Sequence, residues 1–173
     1  MSTEKYKSIA SKLKFEGRAY INGRYVDAVD GEKFETINPA NGDILCSVAK
    51  CNQKDVDLAV QSSRKAFDSG VWSRTSPEHR KEVLLKFAKL LSKEGEENSV
   101  LESVDTGKLI VDCINEVAND APMHFQWYGE LIDKVFGKVG PTDPSITSLI
   151  VKEPIGVVAG VVPWNFPLMM AVW

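Results

Sequence analysis

The order of apolar and polar residues predicts β-structure first, helices next, and β-structure again near the end of the chain. Asn22-Gly23, between two aromatic-rich flanks, is typical of the two-residue turn of a β-hairpin. A strand end at Thr36-Ile37 is followed by a turn, and residues 44–49 form the next strand of the pattern. The first 50 residues or so therefore predict short strands joined by tight turns.

Helical spacing of apolar residues then covers four segments, at about residues 55–67, 77–93, 96–105 and 111–134. Ser76 is placed to cap the second of these helices, with Pro77 in its first turn. Gly107 is suited to a left-handed cap that ends the third. Pro122 predicts a kink or a break in the fourth, because a proline inside a helix removes a hydrogen bond.

The last part of the pattern returns to β-structure. Residues 135–139 and 148–153 predict two short strands that form a projecting hairpin arm. Residues 157–162 are apolar and β-branched, which predicts a strand buried on both faces of a parallel sheet. Pro163 and Pro167 bracket a rigid turn after this strand. In open α/β sheets ligands bind at the carboxyl ends of strands, so Asn165 in this turn marks a candidate site.

Composition narrows the class of protein. The chain has 173 residues, of which 43% are hydrophobic and 26% charged, which is typical of one globular domain. A net charge of −3 with scattered Lys and Arg argues against nucleic-acid binding. No run approaches the roughly 18 apolar residues of a membrane span, and residues 1–16 lack the apolar core of a secretory signal. We therefore expect a cytoplasmic protein without a membrane segment.

The three cysteines do not suggest cysteine chemistry. Cys46, Cys51 and Cys113 are odd in number and show no metal-ligand spacing. A nucleophilic cysteine needs a base and a thiolate-stabilising environment, and neither His79 nor His124 is near any of them in sequence. We expect all three to be reduced and structural.

The landmarks, in this order, resemble the aldehyde dehydrogenase superfamily, and the resemblance spans about residues 20–173. Its finer texture is similar to the non-acylating NAD(P)-linked enzymes, including γ-glutamyl-γ-aminobutyraldehyde and betaine-aldehyde dehydrogenases. The motifs that carry it are Ile21-Asn22-Gly23, Asn38-Pro39-Ala40-Asn41-Gly42, Arg80 in the helix after Ser76-Pro77, Asp105-Thr106-Gly107-Lys108, Trp127-Tyr128, Lys152-Glu153-Pro154-Ile155-Gly156-Val157 and Pro163-Trp164-Asn165-Phe166-Pro167.

The resemblance implies an α/β fold, of which this chain would be the N-terminal part. β-hairpins and helices would lead into the first strand of a Rossmann-like parallel sheet, with an oligomerisation arm between. The corresponding divisions are an N-terminal tail at residues 1–17, part of the cofactor-binding domain at 18–134, the arm at 135–153, and the strand, turn and start of a helix at 154–173.

The resemblance also implies oxidation of an aldehyde to a carboxylic acid with NAD or NADP, by way of a cysteine nucleophile. Asn165 matches the asparagine whose side-chain amide stabilises the developing oxyanion. A fixed neutral donor suits that role because it needs no reorganisation as charge grows. The alternative is that Asn165 only satisfies backbone groups in its turn, a common use of asparagine.

By the same resemblance, the cofactor cleft is lined by Val161, Val162, Pro163, Trp164 and Asn165. No Gly-x-Gly-x-x-Gly fingerprint follows Val162, so the contacts would be apolar and backbone contacts. The alternative for Trp164 is ordinary core packing, since aromatic residues bury large areas anywhere.

Two further sites are implied. Backbone oxygens at Thr36 and Ile37, together with the Asp105 carboxylate, match a site for a monovalent cation, although Asp105 could instead bind turn amides. Residues of the last helix match the wall of the aldehyde tunnel, although a Met and aromatic stripe could equally be core. The tunnel residues are Phe166, Met170 and Trp173.

The resemblance places the nucleophilic cysteine, the general-base glutamate and the ribose-binding residues beyond residue 173. Two hypotheses of function follow. The first is an N-terminal piece of an aldehyde dehydrogenase that acts as a homo-dimer or homo-tetramer when intact. The alternative is a naturally truncated, non-catalytic interaction module that joins intact subunits through its arm. The sequence determines neither the aldehyde nor the choice between NAD and NADP.

Overall fold

The structure is a computed structural model that describes residues 3–173. Its helices and strands follow one another in the order that the sequence pattern predicts, with one addition and one omission. The elements are α1 Thr3–Ala10, β1 Ala19–Ile21, β2 Arg24–Val26, β3 Lys33–Ile37, β4 Ile44–Ala49, α2 Gln53–Ser69, α3 Pro77–Lys93, α4 Gly95–Thr106, α5 Ile110–Cys113, a π-helical segment Ile114–Asp120, α6 Ala121–Leu131, a 3₁₀ turn Ile132–Lys134, β5 Lys138–Gly140, β6 Ser148–Ile150 and α7 Pro167–Val172.

The β1–β2 hairpin confirms the prediction made from Asn22-Gly23. Both turn residues have a positive φ, 52° at Asn22 and 76° at Gly23, as a two-residue hairpin turn requires. Tyr20 and Tyr25 face each other across the hairpin, and their ring centroids are 5.1 Å apart. Local turn chemistry and one cross-strand aromatic pair therefore specify this hairpin.

The β3–β4 hairpin is also confirmed, with Lys33 opposite Ala49 and Thr36 opposite Cys46. The register shifts between Thr36 and Ile37, so the strand is irregular at its end. The intervening turn is closed by its own side chains: Asn38 Oδ1 accepts a hydrogen bond from the Ala40 N–H at 2.9 Å.

The caps predicted for the helices are present. Ser76 Oγ accepts a hydrogen bond from the backbone N–H of His79 at 3.2 Å, and Pro77 is the first residue of α3. Gly107, with φ 76°, ends α4 in the left-handed conformation. Each cap satisfies backbone groups that the helix itself leaves unpaired.

Pro122 disturbs the fourth helix but does not break it. The chain runs from α5 through the π-helical segment into α6, with Pro122 near the start of α6. The backbone N–H of Ala121 donates to the carbonyl of Glu116, five residues earlier. A widened turn of this kind accommodates the ring and the missing N–H of the proline without ending the helix.

The packing of α3 on α6 supports the end of the chain. The rings of Phe87 and Phe125 meet edge to face, with centroids 4.6 Å apart. Ala121 of α6 forms a buried cluster with two residues of α7, Met169 and Val172, and Leu91 of α3 packs against the same cluster. Helix α7 is therefore anchored on this layer, which holds the turn that precedes it.

Helix α1 is an element that the hydrophobic pattern did not predict. It lies within the segment expected to be an N-terminal tail, and it packs on α4. Lys5 of α1 forms an ion pair with Glu96 of α4, on the surface. None of the α1 residues is buried, so the pattern carried little signal for it.

The predicted strand at residues 157–162 is wrong for this structure, since no strand lies between β6 and α7. Val158 and Val161 are 71% and 98% exposed. A strand exists only where a neighbour supplies the other half of its hydrogen bonds, and no other segment of residues 3–173 pairs with this one. Its apolar composition is that of a buried strand, but burial depends on partners.

The predicted arm is confirmed as a hairpin, in which Lys138 pairs with Ile150 and Val139 with Leu149. The arm is exposed: Val139 and Leu149 are 72% and 66% exposed.

No helix of the described chain is long and apolar enough to cross a membrane.

We predict that Gly107→Ala destabilises the protein by about 2–3 kcal/mol, because it adds a steric clash to the strain of a positive φ. A Cβ at Gly107 would lie 2.8 Å from Cγ of Pro39. Gly42→Ala is the matched control, since Gly42 has a similar φ of 80° and nothing within 4 Å of its Cβ position. It should cost only about 1 kcal/mol. Urea unfolding of both variants measures the difference, and equal losses would show that the Pro39 contact is unimportant.

Candidate functional site

The turn at residues 163–167 lies on the surface, directly before α7. Phe166 is the residue before the helix, with φ −142° and ψ 54°, and Pro167 is the first helical residue. A proline at this place has its φ already set for the helix, and it restricts the residue before it. Because α7 is anchored by Met169 and Val172, the turn is held at its carboxyl end by packed side chains.

Asn165 is exposed, and its side-chain amide makes no hydrogen bond within residues 3–173. The asparagines of the β3–β4 turn behave differently. Asn38 Oδ1 accepts from the N–H of Ala40 at 2.9 Å, and Asn41 Oδ1 accepts from the N–H of Asp43 at 3.0 Å. The explanation that Asn165 only satisfies its own turn therefore finds no support, and its amide is free to meet a ligand.

A buried ionic cluster lies beside this turn. The Lys108 ammonium forms an ion pair with Glu116, and its Nζ is 3.8 Å from Oε1 of Glu102. The side chains of Glu102, Lys108 and Glu116 are only 8%, 16% and 18% exposed. Nζ of Lys108 also lies 3.7 Å from the centroid of the Phe166 ring, which is the residue next to Asn165. One cation thus connects the cluster to the turn.

The environment of Glu102 disfavours the charged form of its carboxyl group. Burial raises the pKa of this carboxyl group above its usual range, and the neighbouring Glu116 raises it further. Lys108 and the backbone N–H of Leu168 act in the opposite direction and lower the pKa. Oε1 of Glu102 is buried and has no hydrogen-bond partner within the described chain. Lys108 is therefore the main neighbour that favours the charged form of this carboxyl group.

The candidate cofactor residues form one exposed stretch before Asn165. Val161 is 98% exposed, Val162 43% and Trp164 78%, with Pro163 between them. Trp164 is thus not part of the core of residues 3–173, which disfavours the packing alternative. The stretch offers apolar surface and backbone groups that no other described element covers.

Two of the candidate cation ligands meet in space. The hydroxyl of Thr36 donates to Oδ1 of Asp105 at 3.2 Å. Both residues border a groove of about 750 Å³ that reaches Pro167 and Leu168 at the start of α7. Ile37, the next residue and the last of β3, is exposed. Among residues 3–173, no group of three His, Cys, Asp or Glu side chains is placed to hold a metal ion.

The candidate tunnel residues lie at the edge of the core. Helix α7 buries Met169 and Val172, whereas Met170 is half-buried and Trp173 is 66% exposed. The indole Nε1–H of Trp173 donates to Nε2 of His124 at 3.1 Å. The Met and aromatic stripe predicted from helical spacing is therefore not the stripe that forms the core.

The three cysteines are not activated. Burial raises the pKa of the Cys113 thiol to about 11 and also raises that of Cys46 and of Cys51. A thiol with a raised pKa is protonated at neutral pH and is a poor nucleophile. All three are free thiols, as expected from the sequence.

Sequence reasoning missed the Glu102–Lys108–Glu116 cluster. Lys108 is part of a recognised motif, but its charge gave no sign of burial. Glu102 and Glu116 sit in helical segments where a charged residue usually faces solvent. The only available signal was that Lys108 directly follows the left-handed Gly107, so that its direction is fixed by the cap.

Comparison with known proteins agrees with the fold. Residues 25–173 match the sequence pattern of the Aldehyde dehydrogenase family. The chain is 42% identical over 173 residues to the aminoacetaldehyde dehydrogenase of Pseudomonas aeruginosa. The alignment covers 100% of this chain and 35% of that relative. It is 42% identical over 164 residues to the NADP/NAD-dependent aldehyde dehydrogenase PuuC of Escherichia coli. That alignment covers 95% of this chain and 33% of PuuC.

Solved structures show the same likeness. An indole-3-acetaldehyde dehydrogenase of P. syringae, in complex with NAD+ and IAA, matches with a TM-score of 0.96 and 44% identity over 100% of this chain and 35% of that one. The γ-glutamyl-γ-aminobutyraldehyde dehydrogenase of Burkholderia cenocepacia matches with a TM-score of 0.96 and 43% identity, with the same coverage. The predicted fold class is confirmed, and the chain spans about a third of the length of the relatives it matches.

We predict that iodoacetamide at pH 7.5 alkylates Cys51 first and leaves Cys113 unmodified in the folded protein. Cys51 is exposed and Cys113 is buried, and the raised pKa of each thiol keeps the reactive thiolate scarce. The rate at Cys51 should increase as the pH rises toward its pKa. Mass spectrometry of peptides measures both sites, and the protein unfolded in guanidinium, where all three should react, is the control. Rapid alkylation of Cys113 in the folded protein would contradict the structure.

Proposed function

The chain belongs to the aldehyde dehydrogenase family, and from that premise we propose that it supplies the Asn165 turn to a site where an aldehyde is oxidised to a carboxylic acid with NAD or NADP. The observation that carries the proposal is the free amide of Asn165, which lies on an anchored turn and makes no hydrogen bond within residues 3–173. Relatives of the chain are named for aldehyde substrates and for NADP/NAD.

In the proposed reaction, Asn165 acts on the oxygen of the aldehyde carbonyl. When a nucleophile adds to the carbonyl carbon, negative charge grows on that oxygen. The Asn165 N–H group donates a hydrogen bond to it and so stabilises the transition state more than the ground state. Pro163, Pro167 and the packed α7 limit the movement of the turn. The donor is therefore oriented before the substrate binds.

The exposed stretch Val161, Val162, Pro163 and Trp164 is the proposed wall of the cofactor cleft, together with Asn165. Its apolar, uncovered surface is suited to contact with a flat ring or with a ribose face. The E. coli relative is named NADP/NAD-dependent, which supports a nicotinamide cofactor of either kind. When bound, such a cofactor accepts a hydride from the substrate carbon. The chain's own residues bind the cofactor and orient it.

Two smaller assignments belong to the same proposal. Thr36, Ile37 and Asp105 are proposed to hold a monovalent cation, because their oxygens form the kind of donor set that a hard cation prefers, and the hydroxyl of Thr36 already lies 3.2 Å from Asp105. Phe166, Met170 and Trp173 are proposed to border the passage for the aldehyde. Their position beside the turn, outside the buried stripe of α7, supports this assignment.

The arm is proposed to pair with another subunit in a homo-dimer or homo-tetramer. Strands β5 and β6 form an isolated two-stranded sheet with exposed apolar residues, among them Val139 and Leu149. A strand edge with unpaired backbone groups readily adds a strand from another chain. The same exposed arm favours the second candidate function, that of an interaction module that joins subunits of family enzymes.

We predict that the chain on its own does not oxidise aldehydes with NAD+ or NADP+. The three cysteine thiols of residues 3–173 have raised pKa values, so none of them is an activated nucleophile. Absorbance of NADH or NADPH at 340 nm, with a panel of aldehydes including aminoacetaldehyde, measures the activity. Turnover above the rate of a heat-denatured sample would contradict this prediction.

We also predict that Asn165→Ala lowers kcat by about 10²–10³-fold, because it removes a transition-state donor. The experiment uses a chimera in which residues 1–173 replace the matching segment of the P. aeruginosa aminoacetaldehyde dehydrogenase. The KM for NAD+ should change by less than about threefold, since the interaction is made in the transition state. Asn41→Ala, at an asparagine that serves only its own turn, is the matched control. A raised KM for NAD+ with an unchanged kcat would remove Asn165 from the oxyanion role.

A further inference from the structure

We propose that Lys108 is a positioning residue for the Asn165 turn: its ammonium group, held between two glutamates, clamps the ring of Phe166 and so fixes the direction of the Asn165 amide. This proposal rests on the function proposed above for Asn165. The starting observation is the distance of 3.7 Å between Nζ of Lys108 and the centroid of the Phe166 ring. A cation at that distance from an aromatic face, and shielded from water, is strongly attracted to it.

The backbone of Lys108 cannot easily move. Gly107 ends α4 with φ 76°, and the hydroxyl of Ser103 donates to the carbonyl of Lys108 at 2.7 Å. The N–H of Lys108 donates to Oγ1 of Thr106 at 3.3 Å. The motif Asp105-Thr106-Gly107-Lys108 therefore does more than end a helix. It aims one lysine side chain into the protein.

The ammonium end of the side chain is held as well. It forms an ion pair with Glu116 of the π-helical segment and lies 3.8 Å from Oε1 of Glu102 in α4. Since all three side chains are more than four-fifths buried, water competes weakly for these groups. Lys108 is thus fixed at both ends, and it can act as a rigid support for what lies against it.

The support reaches Asn165 through one peptide unit. Phe166 follows Asn165 directly, and the carbonyl of Phe166 accepts a hydrogen bond from the N–H of Met170 at 2.9 Å, in the first turn of α7. Pro167 restricts the backbone of Phe166 from the other side. With the ring against Lys108 and the carbonyl in the helix, Phe166 retains little freedom. The direction of the preceding Asn165 is restricted in consequence.

A simpler role for Lys108 would be to neutralise two buried carboxylates. That role explains the ion pairs with Glu102 and Glu116, but it does not require contact with Phe166. Buried ionic groups often stabilise a fold less than apolar residues of the same size would. The two roles differ in what happens when the ring is removed and the ion pairs remain.

The first test uses hydrogen exchange in the chain itself, followed by mass spectrometry of peptides covering residues 164–173. Lys108→Met removes the charge and Phe166→Leu removes the ring, and each should accelerate exchange of the α7 amides about tenfold. The double variant should be no faster than either single variant, because both remove the same contact. Lys108→Arg, which keeps a cation over the ring, should stay within about threefold of the wild type.

Lys54→Met is the control for loss of a lysine charge. Lys54 pairs with Asp30 on the surface, 2.9 Å away, and its side chain is 67% exposed. It should leave exchange of residues 164–173 unchanged. The proposal is overturned if Phe166→Leu does not accelerate exchange there, or if the effects of the two single variants add in the double variant. If Lys108→Met does not fold, the Phe166→Leu result alone decides.

The second test measures kinetics in the chimera described above. Lys108→Met should lower kcat about tenfold and leave the KM for NAD+ within about twofold, and Lys108→Arg should restore most of kcat. A fall in stability with an unchanged kcat would show that Lys108 only neutralises the carboxylates of Glu102 and Glu116. If the unsubstituted chimera is inactive, or Asn165→Ala has no effect, the proposed function fails. The exchange experiment still decides whether Lys108 holds the turn.

Discussion

The close approach of Gly107 to Pro39 sets where α4 ends, and much of the structure around the site depends on that point. A side chain at Gly107 would lie 2.8 Å from Cγ of Pro39, and the φ of 76° is one that few other residues adopt. The left-handed cap lets the β3–β4 turn pack against the helix end, brings Asp105 to the hydroxyl of Thr36, and directs Lys108 inward. Motifs that are far apart in sequence thus meet at one junction.

The parts of the fold that were predicted are those specified by local chemistry. Asn22 and Gly23 adopt the positive φ values that their hairpin requires, and Ser76 caps its helix by a bond to a residue three positions away. Periodicity found α2, α3 and α4 because their apolar residues recur at helical spacing. Helix α1 was missed because it has no buried residue to leave a pattern.

The parts that were not predicted depend on partners that no local pattern reveals. Residues 157–162 have the composition of a buried strand, yet no neighbour within the described chain pairs with them, and Val161 is 98% exposed. The Glu102–Lys108–Glu116 cluster joins α4, its cap and the π-helical segment, so its burial is a property of the assembled fold. At the site, the family resemblance pointed to Asn165, but only the structure showed that its amide is unengaged.

The contrast between Asn165 and the other turn asparagines explains how one residue type can serve two purposes in one chain. Asn38 and Asn41 direct their side-chain oxygens to backbone N–H groups two residues ahead, and so stabilise the turn they belong to. The residue two positions after Asn165 is Pro167, and a proline has no backbone N–H to donate to the asparagine side-chain oxygen. The turn is held by packing of α7 and by the Phe166 contact with Lys108. Proline leaves the side-chain oxygen of Asn165 without this local donor, and its NH₂ group makes no hydrogen bond within residues 3–173. Because other groups stabilise the turn, that NH₂ group remains available to donate to an external oxygen.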